Sequence, residues 1–347
     1  MSLDRAVKNN RFQSFAPAIL KVYRRDREAF WAAVMAPFMS ETTILSLWQH
    51  RKVTADLFFA FQGLDDEARQ VLKDFGAPQG IDVTGWKNNR TQYFKDAYPI
   101  FAFLAVWMDE SGLTDFLTQF DDILRSAVYG VAGYGILDMN VDGSAASPVE
   151  ILTSQALIAE YETMILQVFG VSPINLEVLH RMRSLFLAAE IREKSQRGKA
   201  SPYSLDKPED CGTKGAHVVT PFMLSLERLG KAHLIEEYWR VFLLFGAVIQ
   251  IIDDWTDLEG DLAVGNYSYV TLGAKDLHDT RQARQVAKAL RSDPRRVAQT
   301  YERSKEMLAE ARAILQRLND PFLVRLVDVT DLRLQTYFRK ELKHPKL

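Results

Sequence analysis

Residues 238–261 read YWRVFLLFGAVIQIIDDWTDLEGD. From Tyr238 to Ile252 the stretch is apolar except at Arg240 and Gln250, and it then runs directly into Asp253, Asp254, Asp257, Glu259 and Asp261. A segment that is hydrophobic on every side over about four turns suits a helix buried in a larger helical protein rather than a half-exposed strand. On such a helix a step of four residues advances about 6 Å and turns about 40°. Asp253 and Asp257 therefore share a face, and Asp261 extends it if the helix continues through Gly260. Like charges at this spacing repel by a few tenths of a kcal/mol even on an exposed helix, and by more where they end a buried run. A divalent cation would offset that repulsion. The plain alternative is a solvated acidic helix end.

Helical spacing continues outward from this segment in both directions. Apolar residues recur at three and four throughout Phe15–Met39, Tyr93–Asp109, Leu113–Leu137, Val149–Gly170, Leu176–Glu193, His217–Leu229, Leu234–Leu258 and Val297–Leu318, and a last helix is expected from about Pro321 to Leu342. Pro148 sits where a first helical turn favours proline. The polar runs from Arg197 to Cys211 and from Gly265 to Asp279 are expected loops. No run alternates as a strand does, no repeat is evident, and neither loop separates halves of different composition. The expected fold class is all-α, a single large bundle of about ten or more helices spanning residues 1–347. Such bundles build ligand sites from side chains that face inward on neighbouring helices.

Composition narrows the function classes. With a net charge of -2 and no long basic block, the chain offers no concentrated positive patch for nucleic acid. The single cysteine, Cys211, rules out an internal disulfide and a cysteine metal cluster. The N-terminus is polar and lacks an apolar signal core. The longest apolar runs, Pro99 to Met108 and Val241 to Ile252, are shorter than the roughly 20 residues that span a bilayer. A cytoplasmic protein without a transmembrane segment is the expectation.

A second acidic helix end stands about 115 residues earlier, where Gly133-Tyr134-Gly135-Ile136-Leu137-Asp138-Met139-Asn140-Val141-Asp142-Gly143 closes an apolar helix with Asp138 and Asp142 four apart. Aspartate is unfavourable near the negative end of a helix dipole. One such end is unremarkable, but two in one chain point to a shared cation. Magnesium takes a few carboxylates together with phosphate oxygens and water, so two acidic helix ends could hold several Mg2+ ions with a diphosphate between them.

Here the chain resembles the class I isoprenoid synthases, especially the trans-polyprenyl diphosphate synthase branch. The family's second motif, Gln-x-x-Asp-Asp-x-x-Asp, is matched by Gln250, Asp253, Asp254 and Asp257, and its earlier aspartate motif has counterparts in Asp138 and Asp142. Thr213-Lys214-Gly215-Ala216 stands where the family carries a diphosphate-contacting Lys-Thr or related pair, with Arg125 and Lys194 as lesser basic candidates. The resemblance covers roughly Leu113 to Leu272. It implies a central apolar cavity, ionisation of an allylic prenyl diphosphate by Asp138, Asp142, Asp253, Asp254 and Asp257, and Mg2+ held by Asp138, Asp142, Asp253, Asp257 and Asp261. It also implies substrate contacts from Lys214, Thr213, Gln250, Tyr134 and Phe245, with Tyr134 limiting pocket depth and Trp255 near the same cavity, and a homodimer.

The departures from that pattern are specific. The first motif lacks a third carboxylate, because Met139 follows Asp138. The Arg-Arg pair after it is replaced by Gly143-Ser144-Ala145-Ala146-Ser147. No Gly-Lys-Arg segment is found near the N-terminus, and Gly265-Asn266-Tyr267-Ser268 stands in place of the Gly-Lys-x-Thr element. These losses fall mainly on the site of a second, homoallylic substrate, which favours a terpene cyclase, or a head-to-head condensing enzyme, over an ordinary elongase. The Asp-x-x-x-Asp first motif also resembles the squalene and phytoene synthase branch. Chain elongation with isopentenyl diphosphate is the alternative, and a non-catalytic helical subunit is the third reading. Glu177-x-x-His180 and Glu341-x-x-His344 have di-iron spacing, but His344 lies in a basic tail beside Pro345. Asp121-Asp122 and Asp109-Glu110 are expected to be solvated turns. Tyr337-Phe338-Arg339-Lys340 is either a solvated basic helix end or a segment that closes over diphosphate.

Overall fold

The computed structural model describes residues 11–35, 64, 67–79, 90–142, 148–204, 206–274 and 282–340. Every regular element among them is helical, as the periodicity predicted. The main helices are α1 (Arg11–Arg25), α2 (Arg27–Met35), α3 (Arg90–Glu110), α4 (Thr114–Leu117), α5 (Phe120–Asp142), α6 (Pro148–Phe169), α7 (Pro173–Gln196), α8 (Thr220–Arg228), α9 (Ile235–Ala263), α10 (Ala283–Arg291), α11 (Pro294–Arg317) and α12 (Pro321–Lys340). No helix among the described residues is long and apolar enough to cross a membrane.

Helix ends follow local chemistry. Pro148, Pro173, Pro294 and Pro321 each open a helix, where their missing N–H has no partner to lose. The Ser172 hydroxyl accepts from the Asn175 N–H at 3.1 Å, and the Asp293 carboxylate accepts from Arg295 and Arg296 N–H at 3.0 and 3.3 Å. Over its described part, to Met35, the expected helix Phe15–Met39 is two helices, and residues 36–39 lie outside the described residues. Asp26 accepts from the Ala29 N–H at 2.9 Å and so starts α2 anew. Leu113–Leu137 is likewise divided, into α4 and α5.

The chain forms two compact units. The first contains α1 to α4, α5 as far as Gly135 and α6 from Thr153. Its core includes Trp31 stacked on Phe103 at 5.1 Å and Phe116 stacked on Phe169 at 4.9 Å. The expected solvated turn at Asp109-Glu110 is instead paired, Asp109 with Arg24 at 2.6 Å and Glu110 with the Tyr23 hydroxyl at 2.6 Å. Helices α5 and α6 approach closely at Gly133, where an added Cβ would stand 2.8 Å from the Ile158 side chain and 3.1 Å from the Ser154 carbonyl.

The second unit contains the end of α5, the start of α6 and the chain from Val171 onward. Its core helix is α9. Tyr238, Trp239, Val241, Phe242, Leu244, Ala247, Val248, Ile251, Ile252, Trp255, Leu258 and Leu262 are all buried along it, as the apolar run demanded. α10, α11 and the 3-10 turn Pro208–Thr213 pack around it. α11 and α12 are tied by Lys305–Asp331 at 2.6 Å and Arg312–Asp328 at 2.7 Å.

Candidate functional site

All the described groups of this site belong to the second unit. α9 continues through Gly260 to Ala263, so the acidic run is helical throughout. Its members divide by face. Asp253 and Asp257 are exposed, Asp261 is half-buried, and Asp254 is only 4% exposed. The face that carries Asp253 and Asp257 leads back at steps of four to Ile249 and Phe245, both half-buried. The exposed carboxylates thus end an apolar stripe.

Asp254 points the other way and is anchored. Its Oδ1 accepts from the Gln250 side-chain amide at 3.0 Å and its Oδ2 accepts from the Tyr269 backbone N–H at 3.3 Å. Burial pushes the Asp254 carboxyl well above the usual carboxylate range, opposed by the Gln250 hydrogen bond and reinforced by Asp261, Asp253 and Glu193. Gln250, expected at the substrate, gives its amide to Asp254. Asp254 is accordingly a fixed anchor between α9 and the loop that follows it. That loop is held further by Asn266 N–H to the Asp261 carbonyl at 2.8 Å and by Arg296 to the carbonyls of Val270 and Leu272 at 2.9 and 2.7 Å.

Lys214 joins the first acidic motif to this region. Its ammonium lies 2.7 Å from Asp138 Oδ1, 2.9 Å from Glu193 Oε2 and 3.7 Å from Glu190 Oε1. Glu190 and Glu193, on α7, are 3% and 8% exposed. The Tyr203 hydroxyl donates to the other oxygen of Glu193, and burial with the adjacent Glu193 charge raises the phenol well above its usual range. Glu193 in turn lies within electrostatic reach of Asp254. One charged cluster therefore joins Asp138 of α5 to Glu190 and Glu193 of α7 through Lys214. Burial also raises the Cys211 thiol, with Asp254 the next contributor, so this cysteine stays protonated.

The turn bearing Lys214 is pressed onto α9 by a glycine. A Cβ at Gly212 would lie 2.1 Å from the Leu243 carbonyl oxygen and 2.8 Å from the Ala247 nitrogen, so only glycine permits this approach. The Thr213 hydroxyl, expected at the substrate, donates to the Asp210 carbonyl at 2.6 Å and closes the turn. His217 Nδ1–H donates to the Lys214 carbonyl at 3.2 Å, and its ring meets Phe186 edge-on at 5.6 Å.

The remaining expected residues lie as follows. Asp142 is the last residue of α5, and its side chain falls outside the described residues. Tyr134 is buried in the first unit, edge-on to Tyr161 at 6.4 Å. Trp255 is fully buried. Arg125 stacks over Phe12 at 5.7 Å and Lys194 is exposed. Glu177 and His180 are both exposed, while Glu341 and His344 lie outside the described residues. At the end of α12, Phe338 is buried, and the Tyr337 hydroxyl accepts from Thr256 at 3.4 Å, which puts that helix end beside the acidic run.

Glu190, Glu193, Tyr203 and His217 were not foreseen from sequence. The signal for the two glutamates is their register, because Met182, Phe186, Ala189 and Glu190, and Glu193 continue one buried stripe of α7. Among the described residues, no three His, Cys, Asp or Glu side chains form a ready-made metal cage. Magnesium does not require one, since it commonly uses one or two carboxylates with water and substrate phosphate. The all-oxygen donors Asp253 and Asp257, exposed and four apart, fit that demand. Asp138 fits only if its carboxylate leaves Lys214. Comparison with protein-family models, with curated proteins and with solved structures returns no match.

Proposed function

We propose that this protein is a magnesium-dependent class I isoprenoid synthase that ionises an allylic prenyl diphosphate, acting as a terpene cyclase. The observation that supports this reading is Lys214, whose ammonium pairs Asp138 of the first acidic helix end with the buried Glu193 of α7, while the second acidic helix end presents Asp253 and Asp257 on one exposed face of α9. An Asp138 held half-buried by a lysine is not the freely solvated residue that an ordinary helix end would carry.

In this reading Asp253 and Asp257, with Asp138 and Asp142, would hold the magnesium ions. When bound, the ions supply Lewis-acid neutralisation of the charge that develops on the leaving diphosphate. The chain's own residues do the rest. Asp254, fixed by Gln250 and Tyr269, keeps the acidic turns of α9 in register. The Phe245–Ile249 stripe offers apolar surface to the prenyl chain next to the carboxylates, where exclusion of water protects a carbocation.

The test is incubation of the full chain with MgCl2 and geranyl, farnesyl or geranylgeranyl diphosphate. Release of diphosphate together with a hydrocarbon or alcohol is expected for at least one of them, without isopentenyl diphosphate. A product that retains diphosphate and forms only when isopentenyl diphosphate is added would reassign the chain to elongation. No turnover of any allylic diphosphate would favour a non-catalytic subunit.

A further inference from the structure

We propose that Lys214 is a built-in counter-cation, whose ammonium holds the Asp138 carboxylate until a divalent cation takes it, so that metal binding and release of Lys214 are a single exchange. This rests on the reading of Asp138 as a metal-facing carboxylate. One ammonium faces three carboxyl groups, those of Asp138, Glu193 and Glu190, at 2.7, 2.9 and 3.7 Å. A buried cluster of this kind without a cation would be strongly destabilising. The lysine thus does in the metal-free protein what a metal ion would do when bound.

The geometry separates a fixed backbone from a movable side chain. Gly212 pins the turn against α9, Thr213 closes it on Asp210, and His217 donates to the carbonyl of Lys214 itself. Only the four-carbon stem is left to move. Lysine is suited to that role, because its ammonium is a compact point charge with three rotatable donors, unlike the planar fork of arginine. Glu190 and Glu193 remain behind as a second resting place, so Lys214 can leave Asp138 without becoming an isolated buried charge.

A purely structural ion pair and an exchange device differ in how they respond to magnesium. If Lys214 competes with the metal for Asp138, removing its charge strengthens metal binding. Isothermal titration of MgCl2 into the full chain, at constant ionic strength and with no prenyl compound present, reads this directly. K214M should bind Mg2+ on the order of tenfold more tightly than the unmodified protein, while K214R, which keeps the charge and can grip the carboxylate with its planar fork, should show no gain in affinity. The melting temperature of K214M should also rise more with Mg2+. Equal or weaker Mg2+ binding in K214M, or no binding by either protein, overturns the proposal. Should K214M fail to fold, K214M/E190Q is compared with E190Q, and the same gain in affinity is expected. Turnover of a prenyl diphosphate with unchanged Mg2+ affinity in K214M would sink the exchange and leave the enzymatic reading standing. Tighter Mg2+ binding without turnover would do the reverse.

Discussion

His217 sits between the Phe186 ring and the carbonyl of Lys214, and burial lowers its pKa from 6.5 to about 4, against the raising effects of the Lys214 carbonyl and of Asp138. Between those two values the unfolded chain takes a proton that the folded protein refuses. The stabilisation from a neutral His217 is therefore fully present above pH 6.5 and is lost as pH falls toward about 4. The shift corresponds to roughly 3 kcal/mol. Urea unfolding between pH 7 and 4 should show the unmodified protein losing about that much more stability than H217Q. Parallel pH profiles for the two proteins would refute the assignment. At this scale the sequence was legible where spacing carried the message, as at Asp253 and Asp257. It was silent where burial did. Glu190 and Glu193 look like ordinary helix-surface glutamates until the register of α7 turns them inward.

The element that positions the site is the turn Pro208–Thr213, and its defining contact is backbone on backbone at Gly212. G212A would force its methyl against the Leu243 carbonyl. A loss of about 3 kcal/mol is expected in denaturant unfolding, with displacement of Lys214 from α9. On α9 itself the expectation is the opposite. Asp253 and Asp257 are exposed, so D253N and D257N should change stability by no more than about 0.5 kcal/mol. Each should nevertheless lower magnesium-dependent diphosphate release about a hundredfold or more. Substantial destabilisation by either variant, or unchanged release, would count against a metal-facing role. Helix identity was legible throughout because the 3.6-residue period is long and regular. Helix breaks were not, because apolar spacing carries on across a single-residue interruption such as Asp26, and only its cap to Ala29 reveals the new start.

At the scale of the whole molecule, the all-helical character of the described residues followed from the sequence, and the apolar run of α9 is buried as its uniform apolarity required. The helices before residue 110, which matched no motif, form part of a unit with its own aromatic core. The meeting of Asp138 with Glu190 and Glu193 around Lys214 could not be derived from the aspartate motifs alone. It depends on the buried register of α7 and on Lys214, whose turn is pressed onto α9 at Gly212. We propose that Asp138 and Asp253 serve one metal site. The measurement that bears on this most directly is a double-mutant cycle on binding of inorganic diphosphate in the presence of MgCl2, using D138N, D253N and D138N/D253N. If both carboxylates serve one site, each single variant weakens binding, and the double variant weakens it by less than the sum, with a coupling of about 1 kcal/mol or more. Strictly additive losses, or binding that neither substitution alters, would contradict a shared site.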